Sequence, residues 1–500
     1  MKTQDFKSNQ KSGDIESQMP KQGQKEQRSN KENSPERSQQ NISTSSNNID
    51  KINNTLNSSN FEIGDRLPMQ KIQVIKQNSS PKNNVISNYL SQGIRSVRVL
   101  TYNIFLRPPP IKNNKDDYKN ERTKLFLNSI SDFDIVCLQE LFGFLNQRKH
   151  KIIFNAMKQG FFYHATSPSP SFFSSYLVDG GLVTISRFPI IEKSYRPFKY
   201  GVLSDNLSQK GVLYTKIQAN DSYIHLFNTH LQASYVGAEN NVKATVITRV
   251  DQLILIKDFI KEQVKKHREK ESDIIMICGD FNVNARPQTY PIHYLNDVPD
   301  IQEYIRKINP KEFSEYDILR YILSDFESIE FIDTLRRKFK GESPITYADT
   351  YIDRETQQEL PMEEALTIKE DLLQKSCLDY IIQLKIPIEA KEVQENNNNN
   401  NNNNENEEDD IEEFKMKKSN AQSQSGFVFD YEQVFLEKFF VKNQPFTQLS
   451  DHYGVYTTLR YVNVNQKSSF QFKESVISSQ DKKNIDNKNQ HSFNNASLNE

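Results

Sequence analysis

Short sets of polar residues lie beside the apolar runs of this chain, and their side chains have the chemistry of a hydrolytic site. The sets are Asn103, Gln139-Glu140, Asn228-Thr229-His230, Gly279-Asp280-Phe281-Asn282, Asp379 and Ser450-Asp451-His452. Carboxylate and amide oxygens suit Mg²⁺, which keeps several waters and favours phosphate oxygens as further partners. The histidines add a group that can deprotonate water. The inventory therefore predicts metal-assisted hydrolysis of a phosphodiester.

Each set taken alone also has a structural explanation. A carboxylate at the end of a strand is most often a cap or turn residue. The run Gly279–Asn282 is compatible with a tight turn, and His230 alone is compatible with a half-buried structural imidazole. Six such sets, each next to an apolar strand, argue against a structural role for all of them.

Eight apolar runs are predicted as strands from their β-branched and aromatic content and from the Gly, Asp, Asn or Pro at their borders. They span 96–106, 134–141, 180–191, 210–218, 222–233, 273–283, 377–386 and 451–462. Helices are predicted at 118–130, 147–158 and 242–266, the last from apolar residues at helical spacing. Many strands with few helices between them indicate two packed sheets with helices outside, rather than a doubly wound parallel sheet.

Composition divides the chain into a folded body and polar segments. Residues 1–92, a loop at about 388–425 that contains the run Asn396–Asn404, and the tail 465–500 are dominated by polar and charged side chains. We expect these segments to be disordered, because they cannot bury enough apolar surface to offset their chain entropy. The body at 93–464 is then one catalytic domain, and its helical, charged stretch 286–345 is interpreted as an insertion.

Charge and cysteine content exclude several classes of protein. The formal net charge is −1, from 64 Lys+Arg and 65 Asp+Glu, so no global basic field favours nucleic acid as a partner. The three cysteines lie in apolar runs, which excludes a disulfide framework and a thiolate metal site. No secretory signal or membrane-spanning run is recognisable. We therefore expect a cytoplasmic monomer, and the partners of the N-terminal arm stay unknown.

The motifs, in the order in which they occur, resemble those of the endonuclease/exonuclease/phosphatase superfamily. That resemblance implies an α/β fold, a deoxyribonuclease-I-like, four-layered α/β/β/α sandwich of two mostly antiparallel sheets. It also implies attack on phosphoesters that depends on Mg²⁺, with Mn²⁺ as the alternative cation. Three stretches resemble neutral sphingomyelinases, particularly the bacterial secreted type: Asp179–Ile190 (DGGLVTISRFPI), Asp205–Ile217 (DNLSQKGVLYTKI) and His225–Ala233 (HLFNTHLQA).

The resemblance implies a metal and phosphate side of the site. Glu140 would be the principal Mg²⁺ ligand, with Asn103 beside it. Asp280 and Asn282 would hold the phosphate and a water on the leaving-group side, or a second metal. Asp451 would tune the same end of the cleft and is a further candidate metal ligand.

The resemblance also implies the groups that move protons and stabilise charge. His452 would be the base that activates water, and Asp379 would orient its imidazole. His230 would donate to the phosphoryl oxygens as charge grows there. Lys210 would alternate between pairing with Asp205 and facing the substrate, as a Lys and an Asp at this spacing do in eukaryotic relatives. The alternative for this last pair is a hairpin turn with a surface ion pair worth less than about 1 kcal/mol.

Two features depart from the secreted bacterial enzymes. An acidic pair holds a peripheral metal in those enzymes, but here Val178 precedes Asp179, so Asp179 stands alone. Those enzymes also insert aromatic residues of a hairpin near the C-terminal motif into the membrane. This chain has no Trp, and the comparable stretch contains Phe427, Phe429, Tyr431, Phe435, Phe439 and Phe440, which could pack in the core or contact lipid.

The sequence therefore predicts a Mg²⁺-dependent phosphodiesterase that hydrolyses sphingomyelin to ceramide and phosphocholine, peripherally at a membrane surface. One alternative is another phosphodiesterase of the superfamily, a nuclease or a phosphoinositide phosphatase, against which the near-neutral charge and the DNLSQKG stretch argue. A second is a non-catalytic interaction protein, against which the survival of every motif side chain argues. Residue spacing does not determine the lipid headgroup.

Overall fold

The computed structural model describes residues 93–235, 239–287, 291–307, 314–388 and 425–462. The predicted disordered arm 1–92 and tail 465–500 lie outside the described residues, as does all but the edges of the predicted loop 388–425. No helix within the described ranges is long and apolar enough to cross a bilayer.

The first sheet contains the N-terminal strands and the last two. Its members are β1 (Ser96–Leu106), β2 (Ile135–Leu141), β3 (Tyr163–Thr166), β4 (Val183–Ser186), β13 (Gly426–Glu437) and β14 (Gly454–Val462). Their order across the sheet is β13-β14-β1-β2-β4-β3. β1 and β2 are parallel, and the other neighbours are antiparallel.

The second sheet contains the middle of the chain. Its members are β5 (Ile190–Pro197), β6 (Gly211–Ala219), β7 (Ser222–His230), β8 (Ile274–Asp280), β9 (Glu330–Asp333) and β12 (Asp379–Lys385), in the order β5-β6-β7-β8-β12-β9. β7 and β8 are parallel, and the other neighbours are antiparallel. β10 (Thr350–Ile352) and β11 (Glu359–Pro361) form a separate two-stranded ribbon.

Helices cover the outer faces of the two sheets. They are α1 (Lys119–Ser129), α2 (Arg148–Lys158), α3 (Glu239–His267), α4 (Gln302–Lys307), α5 (Glu315–Leu323) and α6 (Thr334–Lys338), with 3-10 turns at Leu203–Leu207, Ile292–Leu295, Pro299–Ile301 and Lys369–Asp371. The three helices predicted from periodicity are α1, α2 and α3, each confirmed with its ends shifted by no more than three residues.

The alternation of side chains along β1 explains the layering. Val97 and Val99 point into the cluster between the sheets, whereas Leu100, Tyr102 and Ile104 point into a second cluster that contains residues of α1 and α2. Successive residues of a strand face opposite sides of its sheet, so a strand that is apolar on both faces lies in an inner layer. The four-layered sandwich of two mostly antiparallel sheets is confirmed.

Two local expectations were wrong or incomplete. The single strand predicted at 180–191 is two strands in different sheets, β4 and β5, because the chain crosses between sheets at Arg187-Phe188-Pro189 and the proline cannot donate a ladder hydrogen bond. The stretch 286–345 contains helices as predicted, but it also supplies β9 to the second sheet. β13 was not predicted as a strand, and Phe427, Phe429 and Phe439 are buried in the two main clusters.

Candidate active site

The candidate active site lies where strands of both sheets end or begin. His230 ends β7 and is paired in register with Asp280 at the end of β8. Asp379 begins β12, opposite Asp280 in the antiparallel ladder. Asn103 of β1, in the other sheet, contacts Asp280, and His452 lies two residues before the start of β14, the antiparallel neighbour of β1. The topology therefore converges five separate sequence motifs on one end of the sandwich.

Asp280 is the central side chain. Its Oδ2 accepts a hydrogen bond from Asn103 Nδ2 at 2.9 Å and lies 3.5 Å from His230 Nε2 and 3.7 Å from His452 Nε2. Its Oδ1 accepts a hydrogen bond from the backbone N–H of Asn282 at 2.9 Å. Asp280 is almost fully buried, and burial raises the pKa of this carboxyl, although the imidazole of His452 acts in the opposite direction.

Glu140 faces Asp280 across the side-chain amide of Asn103. Asn103 Nδ2 donates to Glu140 Oε1 at 3.2 Å as well as to Asp280, so one amide group holds two carboxylates. The amide oxygen of Asn103 accepts the backbone N–H of Phe105 at 3.1 Å. Asn103 thus orients the two carboxylates through its nitrogen, while its oxygen is engaged by the backbone.

The backbone at Glu140 is held in a conformation that residues other than glycine rarely adopt. Its φ is +55°, in the left-handed region. The following segment is tied down, because Leu141 N–H donates to Gly181 O and Gly143 N–H donates to Asp179 Oδ2, both at 2.9 Å. Such strain persists only where surrounding contacts impose it, and here it aims the Glu140 carboxylate at the site.

His452 and Asp379 form a buried pair. His452 Nδ1 lies 2.9 Å from Asp379 Oδ2, and the Tyr347 ring packs against the imidazole with centroids 4.7 Å apart. Burial lowers the pKa of His452, but the carboxylates of Asp379 and Asp280 outweigh this effect and raise the pKa well above its ordinary value. Asp379 therefore orients the ring and stabilises its protonated form.

Lys210 has three partners around its ammonium group. Its Nζ donates to Asp205 Oδ2 at 2.8 Å and to Leu231 O at 3.0 Å, and it lies 3.2 Å from His230 Nε2. The side chain is 6% exposed, so the pair with Asp205 is not the surface ion pair of the alternative interpretation. Asp205 Oδ2 also accepts the backbone N–H of Ala233 at 2.8 Å, which anchors the acceptor.

His230 differs from His452 in its protonation. Burial, then the charge of Lys210, then His452 lower its pKa well below the ordinary value, so the imidazole is neutral. Because Nε2 faces the Lys210 ammonium, which can only donate, the ring proton belongs on Nδ1. That Nδ1 is buried and has no hydrogen-bond partner among the described residues.

Asp451 and Asn282 lie at the edges of this group. Burial raises the pKa of Asp451 to about 7. The imidazole of His452 lowers this pKa, whereas the carboxylate of Glu140 raises it further. Asp451 Oδ1 accepts the hydroxyl of Ser450 at 3.1 Å. Asn282 is partly exposed and donates through Nδ2 to Leu231 O at 3.2 Å. The sequence-predicted residues are thus all brought to one region, Asp451 on the Glu140 side and Asn282 on the Lys210 side.

The donor set fits a hard divalent cation. Glu140 Oε2 and Asp379 Oδ1 are buried oxygens without a hydrogen-bond partner among the described residues. Asp280, Asp379 and His452 each offer one ligand atom, and these atoms lie within 4.8 Å of one another. The site thus offers two ligand groupings, one centred on Glu140 and Asp280, and one that includes His452 itself. The resemblance implied Asn103 beside Glu140 as a ligand, but its amide oxygen accepts the backbone N–H of Phe105.

Sequence reasoning missed two residues of the site. Arg107 Nε is buried, has no hydrogen-bond partner in the described ranges, and lies 4.0 Å from Glu140 Oε2. Its position directly after β1 was the available signal, since Asn103 comes from the end of the same strand. Tyr347, which packs on His452, comes from a stretch without a recognisable motif, and only the structure reveals its place.

Asp179 has a lysine as its cationic partner. Lys149 Nζ lies 3.4 Å from Asp179 Oδ2, and the backbone N–H groups of Gly143 and Gly181 donate to the same carboxylate at 2.9 and 2.7 Å. Its carboxylate therefore ties the segment after Glu140 to the segment before β4, and its oxygens are engaged within the protein.

Comparison with known proteins agrees with this geometry. Residues 100–299 match the Endonuclease/Exonuclease/phosphatase family. A sphingomyelinase of Dictyostelium discoideum is 32% identical over 382 residues, which cover 71% of this chain and 77% of that protein. The chain belongs to the sphingomyelinases of this family.

Similarity to bacterial members of the sphingomyelinase family covers less of the chain. A sphingomyelinase C of Bacillus cereus is 33% identical over 203 residues, 38% of this chain and 57% of that enzyme. A double-mutant beta toxin of Staphylococcus aureus, crystallised with bound magnesium ions, is 18% identical with a TM-score of 0.43, covering 72% of this chain and 99% of that one. In this sphingomyelinase-family protein, Asp379 and His452 lie beyond the family match at 100–299, and the tertiary structure joins them to it.

Proposed function

We propose that this member of the sphingomyelinase family hydrolyses sphingomyelin to ceramide and phosphocholine, with Mg²⁺, at a membrane surface. The observation that carries the proposal is the buried His452–Asp379 pair, 2.9 Å long, beside the Asp280 carboxylate. Relatives named sphingomyelinases support the choice of substrate.

His452 is the group that takes a proton from water. Its Nδ1 is engaged by Asp379 Oδ2 at 2.9 Å, which leaves Nε2, facing Asp280 at 3.7 Å, as the exchanging nitrogen. A buried carboxylate at Nδ1 fixes the orientation of the ring and stabilises the imidazolium that forms. The bond between phosphorus and the ceramide oxygen breaks, and ceramide leaves as its primary alcohol with a proton from solvent, which the proton taken by His452 replaces when the ring is deprotonated again.

Glu140 and Asp280 would hold the cation, and Asn103 keeps their carboxylates in place. Mg²⁺ there would supply positive charge against the phosphodiester and against the charge that develops on its oxygens. Arg107 adds a fixed positive charge on the outer side of Glu140, 4.0 Å from its Oε2. Asp451 lies on the Glu140 side of the cleft and is a further candidate ligand for the cation.

His230 donates to a phosphoryl oxygen. Its Nδ1 is the donor, since Nε2 faces Lys210 and Asp280. A neutral imidazole with a free N–H can stabilise the growing negative charge without repelling the ammonium of Lys210. Asn282 lies beside Leu231 O, the acceptor it shares with Lys210, and completes the phosphate side.

The experiment that tests the function is a headgroup panel with the purified full chain. We expect phosphocholine release from sphingomyelin in Mg²⁺ and none after chelation by EDTA. Ceramide phosphoethanolamine, lysophosphatidylcholine, phosphoinositides and plasmid DNA serve as competing substrates. Turnover of DNA or a phosphoinositide in the absence of sphingomyelin turnover would assign the chain to another activity of the superfamily, and no turnover of any diester would contradict catalysis.

We further propose that the protein works as a monomer on membranes that face a reducing compartment, the cytoplasm. All three cysteines are buried free thiols, which persist most readily there. Light scattering of the purified chain checks the monomer, and fractionation of cells that express it checks the compartment. A secreted or lumenal pool would contradict this placement.

A further inference from the structure

Two adjacent phenylalanines project from the loop between β3 and β4. Phe172 and Phe173 are 96% and 95% exposed, and their rings meet edge to face with centroids 5.4 Å apart. They are the central residues of a turn that is closed by the hydrogen bond from Ser174 N–H to Ser171 O, 2.9 Å long. Such complete exposure of two neighbouring aromatic side chains is unfavourable in water and points to an apolar partner.

The loop that carries this pair is uncharged. The twelve residues from Ser167 to Val178 include five serines and two prolines, and none of them is Asp, Glu, Lys or Arg. Pro168 and Pro170 restrict the backbone, so the turn is presented with little conformational entropy left to lose. A protruding turn without charges can enter the polar region of a bilayer without desolvating an ion.

The same loop is connected to the Lys210 side of the candidate active site. Leu177 N–H donates to Leu207 O at 2.8 Å, and Val178 pairs with Ser208. Tyr176 lines a cavity together with Asp205 and Lys210. Any surface that binds this turn would therefore lie next to Asp205 and Lys210, on the side of the site proposed to meet the substrate.

Further apolar side chains are exposed along this connection. Leu177, Leu203 and Leu207 are 59%, 54% and 48% exposed, and the last two belong to the 3-10 turn that contains Asp205. The aromatic stretch around β13, by contrast, places Phe427 and Phe429 in the core at 2% exposure. The loop 167–178 and its partner at 203–207 thus carry five exposed apolar side chains, Phe172, Phe173, Leu177, Leu203 and Leu207.

We propose that the Phe172–Phe173 turn enters the interfacial layer of a lipid bilayer and brings the Lys210 side of the site against the membrane. This inference rests on the proposed function, because a substrate embedded in a bilayer requires the catalytic cleft to face it. A bilayer fits better than a protein partner, since the surface is a narrow protruding turn without charged anchors. Aromatic side chains favour this layer of the membrane.

The test compares the full chain with the Phe172→Ser/Phe173→Ser variant. Binding is measured by flotation with vesicles of phosphatidylcholine alone, and with vesicles of equal amounts of phosphatidylcholine and sphingomyelin in EDTA. Turnover is measured on the mixed vesicles in Mg²⁺ and on detergent-dispersed sphingomyelin. Phe154→Ser is the matched control, because Phe154 is also exposed, at 60%, but lies on α2.

We expect the double variant to lose at least about tenfold in vesicle binding and in vesicle turnover, with unchanged turnover on dispersed substrate and an unchanged melting transition. Phe172→Trp/Phe173→Trp should retain both, and Phe154→Ser should change neither. Parent-like vesicle binding by the serine variant would overturn the inference, as would an equal loss on both forms of substrate or a changed oligomeric state with intact binding.

The two proposals can fail separately. Vesicles of phosphatidylcholine alone contain no sphingomyelin, so binding to them reports on the turn whatever the substrate is. Turn-dependent binding without sphingomyelin hydrolysis would refute the proposed function and leave the inference in place. If the serine variant hydrolysed sphingomyelin vesicles as fast as the parent chain, the inference about the turn would be refuted and the proposed function would stand.

Discussion

The two histidines of the site have opposite pKa shifts although both approach the same carboxylate oxygen. Their Nε2 atoms lie 3.5 Å (His230) and 3.7 Å (His452) from Asp280 Oδ2. His452 also has Asp379 at 2.9 Å, whereas His230 has the Lys210 ammonium at 3.2 Å. The neighbouring charges therefore favour opposite protonation states, the protonated ring for His452 beside Asp379 and the neutral ring for His230 beside Lys210.

Replacing His452 by alanine should lower kcat at least about 10²-fold, because the proton acceptor is lost. Mg²⁺ affinity, measured by calorimetry, should stay nearly unchanged if the ion sits between Glu140 and Asp280. His150→Ala, an exposed histidine on α2, is the control and should behave as the parent chain. Loss of Mg²⁺ binding in the His452 variant would make the imidazole a ligand, as the grouping with Asp280 and Asp379 allows.

Replacing Glu140 by glutamine should produce the converse pattern. The amide keeps the shape of the side chain but removes a negative charge from the proposed cation site. We expect weaker Mg²⁺ binding and activity that is partly recovered at high Mg²⁺ concentration, measured by titrating the ion against turnover. Glu359→Gln, on the distant ribbon strand β11, provides a comparison. Activity that stays low at saturating Mg²⁺ would argue that Glu140 has a different function.

Lys210 and Asp205 are best tested as a pair. If Lys210 leaves Asp205 to meet the phosphodiester, Lys210→Ala should cost about 2–4 kcal/mol in kcat/KM, the value of one transition-state charge contact. Asp205→Ala should be milder if the carboxylate only holds the lysine, and harsher if its bond to Ala233 N–H shapes the turn. The kinetics of both single variants and of the double variant distinguish these cases. Two small effects that add in the double variant would show that Lys210 does not alternate between Asp205 and the substrate.

Among the secondary-structure elements, the parallel pairs β1/β2 and β7/β8 organise the site. Parallel neighbours end on the same side, and antiparallel β12 and β14 begin there, so the candidate site residues of these strands lie at one end of the sandwich. The close approach of β7 to β8 requires Gly279, whose φ is +142°. A Cβ at this position would lie 1.9 Å from Thr229 O, in the strand that ends at His230.

Gly279→Ala should therefore destabilise the fold and displace Asp280. We expect a loss of at least about 2 kcal/mol in the free energy of unfolding, from overpacking and backbone strain together. Gly341→Ala is the matched control, since Gly341 also has a positive φ, +97°, but no atom within 4 Å of the added Cβ. That variant should lose only about 1 kcal/mol. Urea unfolding measures both, and equal losses would show that strain alone matters.

Considering the molecule as a whole, the site combines two parts of the chain that are far apart in sequence. Asn103, Glu140, His230 and Asp280 lie within 180 residues, and Asp379 follows them, whereas Asp451 and His452 come after the segment 389–424, which is outside the described residues. The buried bond between Ser450 Oγ and Asn103 O, at 2.6 Å, joins the two parts. The candidate site therefore depends on the closure of the entire sandwich.

A chain without residues 1–92, 396–413 and 467–500 should keep its activity. Those segments are too poor in apolar side chains to contribute to a packed core. We expect cooperative melting and turnover of detergent-dispersed sphingomyelin close to the full chain. Loss of the folded transition would show that the poly-Asn region contains a structural element.

The sequence alone determined the fold class and most of the site. Strand patterns and the helical period of 242–266 predicted two sheets with outer helices, because alternation and helical spacing are local properties of the chain. The motifs at Glu140, His230, Asp280 and His452 were recognisable for the same reason, since each consists of adjacent residues at the border of an apolar run.

Only the tertiary structure decided the contacts between those motifs. The packing of the two sheets brought Asp379 to His452, and the pairing of β1 with β2 brought Arg107 to Glu140. The local sequence around each residue does not identify its partner. Packing also buried Phe427 and Phe429 of β13 and exposed Phe172 and Phe173, which composition does not distinguish. Burial, charge neighbours and pKa shifts depend on long-range packing, and packing is a property of the closed sandwich rather than of any one segment.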